Sequence, residues 1–324
     1  MNQKNYDFKD IFDFEKIEKY RLRQITIRTL KIIFGVITFI VINILLLFNI
    51  GKIIGAENAT LEVLFILFVI TCLILFGWIK SSIGVYSNTI KNDVVKILIE
   101  TLDSNIKYTP STGISETTYK NSTFKRGYNK FESFDGFSGT FDDVRFDFSY
   151  VSAYRQYKSQ RETKKINAFN GLFFCMTFPS QFQSSTTILT KELSNSLFNN
   201  LKQLQPEDFT LDKNFNEKFK LYTDNKSEKD KILQSNLIDY LIELQDNGYM
   251  QPNYLSSKKI PEGTHLSWNN NKIYFGYEGC CNFLNISINV PINQNTLNTY
   301  RNEIITYLEK ATKIYKIIEQ NYVT

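Results

Sequence analysis

Residues 32–51 read IIFGVITFIVINILLLFNIG, a run from Ile32 to Gly51 without one charged side chain. At about 1.5 Å per residue it covers roughly the 30 Å hydrocarbon layer of a bilayer. A second uncharged run, VLFILFVITCLILFGWI, occupies Val63 to Ile79 and ends beside Trp78, where an interfacial aromatic would sit. Helices in a soluble core keep a polar stripe, and neither run has one. A cleaved leader fits poorly, because the first run begins well into the chain and lacks a small-residue cleavage site. The two runs predict a transmembrane helical hairpin over residues 29–80, with spans at about 32–51 and 63–79.

The flanks orient the hairpin. Lys4, Lys9, Lys16, Lys19, Arg21, Arg23, Arg28 and Lys31 precede the first span. The short connecting loop holds only Lys52, and Lys80, Lys91 and Lys96 follow the second span. Basic residues stay on the cytoplasmic side, so both termini are expected in the cytoplasm and nothing folded outside. Polar positions inside the spans are few. Asn43 and Thr71, the latter beside Cys72, stand at comparable depth and are expected to make an interhelical contact. A conducting pore would need a more polar lining.

The remainder dilutes these blocks, so the mean hydropathy of the chain is −0.25. With 324 residues, 43% of them apolar and 15% aromatic, a sizeable core can be buried. A net charge of +5 is too modest for a nucleic-acid binder and suits a face near anionic lipid. Four cysteines, two of them adjacent at Cys280 and Cys281, make no disulfide framework and point to free thiols in a reducing compartment.

Residues 1–28 interleave Ile11, Phe12, Phe14, Ile17, Tyr20 and Ile25 with charges, as a cytosolic amphipathic juxtamembrane segment would. After the hairpin, Ser87 is expected to cap a helix carrying Ile90, Val94, Ile97, Leu98 and Leu102, which ends before the turn at residues 109–113. Arg145 to Tyr150 alternates as a half-buried strand does. Ala168 to Phe178 is apolar on both faces, as a central strand is, with Gly171 expected as a bulge. The segment between them reads as the arm of a long antiparallel hairpin. Further on, the pattern predicts a helix from Thr190 and a strand at Lys218–Tyr222. Ser227 with Asp230 reads as a capping box opening one helix through Leu233, Leu237, Leu241 and Leu244. Strands follow at His265–Trp268, Ile273–Tyr277 and Phe283–Val290, then a helix over Thr296–Asn321. With no linker visible, residues 81–324 are expected to form one cytosolic α+β domain with a mainly antiparallel sheet and flanking helices.

Two early spans, a helix ending in NIKY (105–108), the strand FDDVRFDFSYVSA (141–153), FNGLFF (169–174), FKLYTDN (219–225) and NNNKIYFGY (269–277) form a set. In these motifs the chain, from about Lys4 to Tyr322, resembles the bacterial membrane family called domain of unknown function 3137. The resemblance implies a two-span anchor and a cytosolic α+β domain. It implies no reaction, ligand or catalytic residue.

Chemical signals are sparse. His265 is the one histidine, so a Ser-His-Asp arrangement would have to use it. At the start of a strand it reads as structural or exposed, and its removal is expected to cost little stability. Cys280–Cys281 is too close-set to chelate, with a redox or acylated thiol there as the alternative reading; Cys175 reads as core filler. Residues 134–139 hold two glycines but no lysine at Walker spacing. Asp142 and Asp143, with Glu132 and Asp135 nearby, read as a solvated turn before a divalent-cation site. No catalytic residue, cofactor or metal is expected. The arm carries Arg155, Lys158, Arg161, Lys164 and Lys165 against one acid, Glu162, with Tyr154 and Tyr157 interleaved. It reads either as a soluble hairpin tip or as a contact for lipid or nucleic-acid phosphate.

Taken together, the sequence predicts a membrane-tethered interaction or sensing module at the bacterial cytoplasmic (inner) membrane. Its expected partners are the lipid bilayer and a protein partner or further copies of the chain, with nucleic acid disfavoured. A membrane-bound enzyme with an unrecognised site and an oligomerising membrane effector are the alternatives.

Overall fold

The computed structural model describes residues 7–53, 69–70, 72–73, 77, 86–124, 127–158, 163–191, 206–207, 212–246, 263–279, 283–284 and 286–323. The chain divides into two units, one of residues 1–95 with 286–299 and one of residues 96–285 with 300–324.

In the first unit, helix α1 runs Phe14–Ile53 without a break. Asp13 starts it by accepting from the Lys16 amide at 2.9 Å. The helix is long and apolar enough over residues 14–41 to cross a membrane, and 6% of its apolar 18-residue stretch is buried. Phe34 is 62% exposed, Leu30 59% and Ile37 54%. The second expected span lies almost wholly outside the described residues; so do Thr71 and the Asn43 side chain. Near its N-terminal end α1 is pinned. Arg21 clasps Glu18 through Nε at 2.8 Å and donates from Nη1 to the Ile288 carbonyl at 2.9 Å. Tyr20 stacks on Tyr86, and the Phe8 amide donates to Gln294 Oε1.

The helix expected from Ser87 is already helical at residue 86 and becomes a π-helix over Lys91–Val95, before α2 at Lys96–Leu102. The wider π turn rotates the buried stripe. Val95 and Ile99 are therefore buried, and Ile97 is 39% exposed.

The second unit is built on a nine-stranded sheet among the described residues, in the order β1-β2-β3-β4-β9-β8-β5-β7-β6. The strands are β1 (Lys107–Thr109), β2 (Lys130–Phe141), β3 (Val144–Lys158), β4 (Thr163–Thr177), β5 (Thr186–Thr190), β6 (Pro206–Glu207), β7 (Phe219–Thr223), β8 (Gly263–Asn269) and β9 (Lys272–Glu278). Every pairing is antiparallel. Two turns set the register. Asp142 and Asp143, at φ +52° and +67°, close the β2–β3 hairpin as a pair of left-handed residues does. Asn270, at φ +52°, helps close β8–β9.

Register then lines up one transverse row of side chains: Tyr108, Phe137, Phe148, Phe174, Phe275, Leu266, Ile188 and Leu221. All are buried. The rings of Phe137 and Phe148 stack at 4.3 Å, and those of Phe148 and Phe174 at 4.6 Å. On this face Tyr277 meets Tyr307, and Phe178 meets Tyr315, both from the long C-terminal helix Gln294–Val323 (named α7 below). Its apolar stripe of Leu297, Tyr300, Ile304, Tyr307, Ala311, Ile314 and Ile318 is buried. The opposite face packs Val151, Phe169, Phe173, Cys175 and Tyr274 against Tyr119 of α3 (Glu116–Asn121) and the following Phe124.

Several expectations change. Gly171 is not a bulge: the register slips at Ala153/Tyr154 instead. A side chain at Gly171 would meet the Tyr277 carbonyl at 1.8 Å, so the glycine is there because β9 passes so close. Thr190 ends β5, its hydroxyl donating to the Thr264 carbonyl, and the helix expected after it lies outside the described residues. After α4 (Lys213–Lys218), helix α5 (Lys226–Ile232) is capped by Asn225, which accepts from the Ser227 and Glu228 amides. Ser227 and Asp230 form no box. Leu233 closes α5, so the expected single helix is two, the second being α6 (Ser235–Asp246). The described residues of Phe283–Val290 form no strand: residues 283–284 turn with Leu284 at φ +47°, and Ile286 and Ile288 are buried from an irregular segment.

Phe174 stands in the middle of the row and is fully buried. Phe174→Ala is expected to destabilise the chain by roughly 3–5 kcal/mol in denaturant unfolding. An unchanged midpoint would mean that the row does not hold the sheet.

Candidate functional site

Two places in the second unit gather polar or charged groups in a non-trivial way: a buried pair at the sheet centre and the basic arm. The pair is His265 and Glu278. Register sets His265 opposite Gly276 and Glu278 opposite Gly263, so the two side chains are diagonal neighbours on one face. His265 Nε2 lies 2.9 Å from Glu278 Oε2, with both residues buried. Gly276 leaves the space: a Cβ there would approach the Phe124 and Phe169 rings at 3.0 and 3.1 Å. Those rings stand 5.5 and 6.3 Å from the imidazole and close it in. The expectation of a histidine whose loss is cheap is thereby corrected. A carboxylate and an imidazole sealed under aromatic rings form a structural pair, and removing one leaves the other in a low-dielectric site.

The sequence missed Glu278 because its partner lies across a strand pair. The available signal was an acid ending an otherwise apolar strand, two residues beyond a glycine. Another missed feature is a chain of buried hydroxyls in which Ser184 bonds Glu228, Thr186 bonds Thr223 at 2.8 Å, and the Gln183 amide donates to Glu228 at 2.7 Å. This ties the start of β5 to α5. Among the described residues, no three of His, Cys, Asp and Glu gather to hold a metal ion. Asp142 and Asp143 are exposed turn residues, the former paired with Lys316.

The arm extends the β3–β4 hairpin past the rest of the sheet. Pairing of β2 stops at Lys130↔Tyr154 and pairing of β9 begins at Gly171, whereas β3 and β4 stay paired to Lys158↔Thr163. Arg155, Lys164 and Lys165 are exposed on it. Lys158 is in the strand with its side chain not described, and Arg161 lies outside the described residues. The structure splits the cations between faces. Arg155 pairs across from Ile166 and Tyr157 from Lys164 on one face, and Gln156 from Lys165 on the other. Lys165 sits 3.6 Å over the Tyr154 ring, and Arg155 lies 5.4 Å from the centre of the Tyr157 ring.

One titratable group stands out elsewhere. Glu303 on α7 is half-buried, and desolvation raises its carboxyl from 4.5 to about 7.

The architecture is that of an α+β protein with an antiparallel sheet and one described apolar helix at its N-terminal end. Residues 167–320 match the family model described as "Protein of unknown function (DUF3137)". That is the family the motifs resemble, and FNGLFF, FKLYTDN and NNNKIYFGY lie within the matched residues. Comparison with curated proteins finds no match. Among solved structures, the crystal structure of the mycobacterial trehalose monomycolate transport factor A, TtfA, aligns at 6% identity and a TM-score of 0.35. The alignment covers 68% of this chain and 92% of that one.

Two outcomes follow. His265→Ala is expected to cost about 3–5 kcal/mol of unfolding free energy, much of it absent when Glu278→Gln is already present. A single variant as stable as the wild type would show that the pair contributes nothing. For Glu303, the folded chain holds a proton that the unfolded chain releases between pH 4.5 and about 7, so this residue's contribution falls as pH rises through that window. Glu303→Gln should therefore raise the unfolding midpoint more at pH 8 than at pH 5; equal shifts would show that the carboxyl titrates normally.

Proposed function

We infer that this protein is a membrane-tethered interaction or sensing module of the bacterial cytoplasmic membrane. In this reading, residues 1–28 are a cytosolic juxtamembrane segment, 29–80 a two-span hairpin, and 81–324 a cytosolic domain. The single observation that carries the reading is α1, on which Leu30, Ile33, Phe34, Ile37, Ile40 and Ile44 among others are exposed instead of facing into a core. An aqueous surface would not tolerate so much exposed apolar area, whereas hydrocarbon is its natural solvent. The basic flanks favour cytoplasmic termini.

Within the domain, the His265–Glu278 pair is sealed under aromatic rings, so neither of these two side chains is open to a substrate. The arm supplies the charge for binding. Cations drawn from Arg155, Lys158, Arg161, Lys164 and Lys165 would contact an anionic lipid surface, each that does so adding about 1 kcal/mol near the inner leaflet.

The test is labelling from outside the cell, in a variant whose native cysteines are replaced by alanine. A membrane-impermeant thiol reagent should reach a cysteine placed at Ala56 and not one placed at Thr324. Labelling at Thr324 alone would invert the orientation, and recovery of the chain in the detergent-free soluble fraction would remove the tether.

A further inference from the structure

The two faces of the arm differ in a way that charge alone does not explain. One face is satisfied within the protein. Tyr154 donates its hydroxyl to Glu132 at 2.8 Å there, while at the β3 edge Asn129 accepts from the Gln156 backbone amide at 2.8 Å and donates to its carbonyl at 3.0 Å. Lys165 lies over the Tyr154 ring on this same side.

The other face is a two-by-two square of Arg155 and Tyr157 on β3 with Ile166 and Lys164 on β4. Tyr157 and Ile166 occupy one diagonal, each 45% exposed, and the cations occupy the other. Single exposed apolar residues are ordinary. Two on one face of a two-stranded ribbon, both flanked by cations and reaching beyond the sheet, form a surface with a definite chemistry. Tyrosine places an apolar ring and a polar tip at a membrane–water boundary, and arginine and lysine keep their stems in apolar surroundings while the charged heads stay wet. A purely solubilising tip would carry charge without the apolar diagonal, and a nucleic-acid ribbon would offer cations without the isoleucine.

We propose that the arm docks on an anionic bilayer through this face, with Tyr157 and Ile166 entering the headgroup boundary and Arg155 and Lys164 on lipid phosphates. The proposal rests on the reading that the chain is membrane-tethered. The tether holds the arm at high local concentration near lipid, so a contact too weak to recruit a soluble protein suffices here. Because half of the contact is electrostatic, it weakens as salt shortens the Debye length below about 10 Å.

The test uses the full chain in nanodiscs of phosphatidylcholine, with or without added phosphatidylglycerol, and hydrogen exchange read by mass spectrometry. Peptides covering residues 155–166 are expected to exchange several-fold more slowly in the anionic discs at low salt, and at the neutral-disc rate at high salt. The pair Arg155→Gln with Lys164→Gln, and separately Tyr157→Ser with Ile166→Ser, should each remove the slowing. Peptides from β8 and β9 should be unchanged, which certifies folding. Equal exchange in both lipids would overturn the proposal, and full slowing in the Tyr157→Ser, Ile166→Ser variant would reduce the contact to charge alone. A chain that stays soluble and enters no disc would defeat the tether reading. The arm is then judged by sedimentation of the full chain with anionic vesicles, where absence from the pellet overturns the docking.

Discussion

The pairing of β3 with β4 is the constraint on which the second unit depends. These are its two longest strands, and they meet from Phe146↔Met176 to Lys158↔Thr163. Because opposite residues in an antiparallel pair share a face, fixing Phe148 against Phe174 fixes every later neighbour. Phe275 falls opposite Phe174, Leu266 opposite Phe275 and Ile188 opposite Leu266, and the row closes across strands that are distant in sequence. A slip of one residue would turn the whole row to the other face, where Tyr119 and Phe124 already fill the space.

The same register places the charged groups. His265 and Glu278 become neighbours because β8 and β9 are paired by the turn at Asn270, and glycines opposite them leave room for the pair. The arm exists because β3 and β4 continue to pair after β2 and β9 have stopped. Stability and exposed chemistry thus come from one hairpin: its apolar end is buried on both faces, and its basic end projects with two unlike faces.

Long periodic signals were legible. The alternation of Phe146, Phe148 and Tyr150, the doubly apolar run at Ala168–Phe178 and the stripe from Leu297 to Ile318 report burial directly, and the structure buries them all. Short signals misled. Ser227 and Asp230 have the spacing of a capping box, but Asn225 two positions earlier captured the amides first. Ile286 and Ile288 alternate like a strand and are buried from an irregular segment, where the Ile288 carbonyl is taken by Arg21 instead of by a neighbouring strand. In the basic arm the five cations could be counted, but the division of Arg155, Lys164 and Lys165 between faces could not, because the register slip at Ala153/Tyr154 decides which side each of these takes.

By itself the sequence determined the apolar N-terminal helix, the α+β class, the central hairpin and the long C-terminal helix, since each rests on hydrophobic periodicity that a single segment carries. Only the tertiary structure decided that His265 is buried against Glu278, that Gly171 is held by the passage of β9, and that Tyr157 and Ile166 share a face with Arg155 and Lys164. Those facts depend on which strands become neighbours and in what register, and pairing between distant segments is set by the packing of the whole sheet, not by any local run of residues.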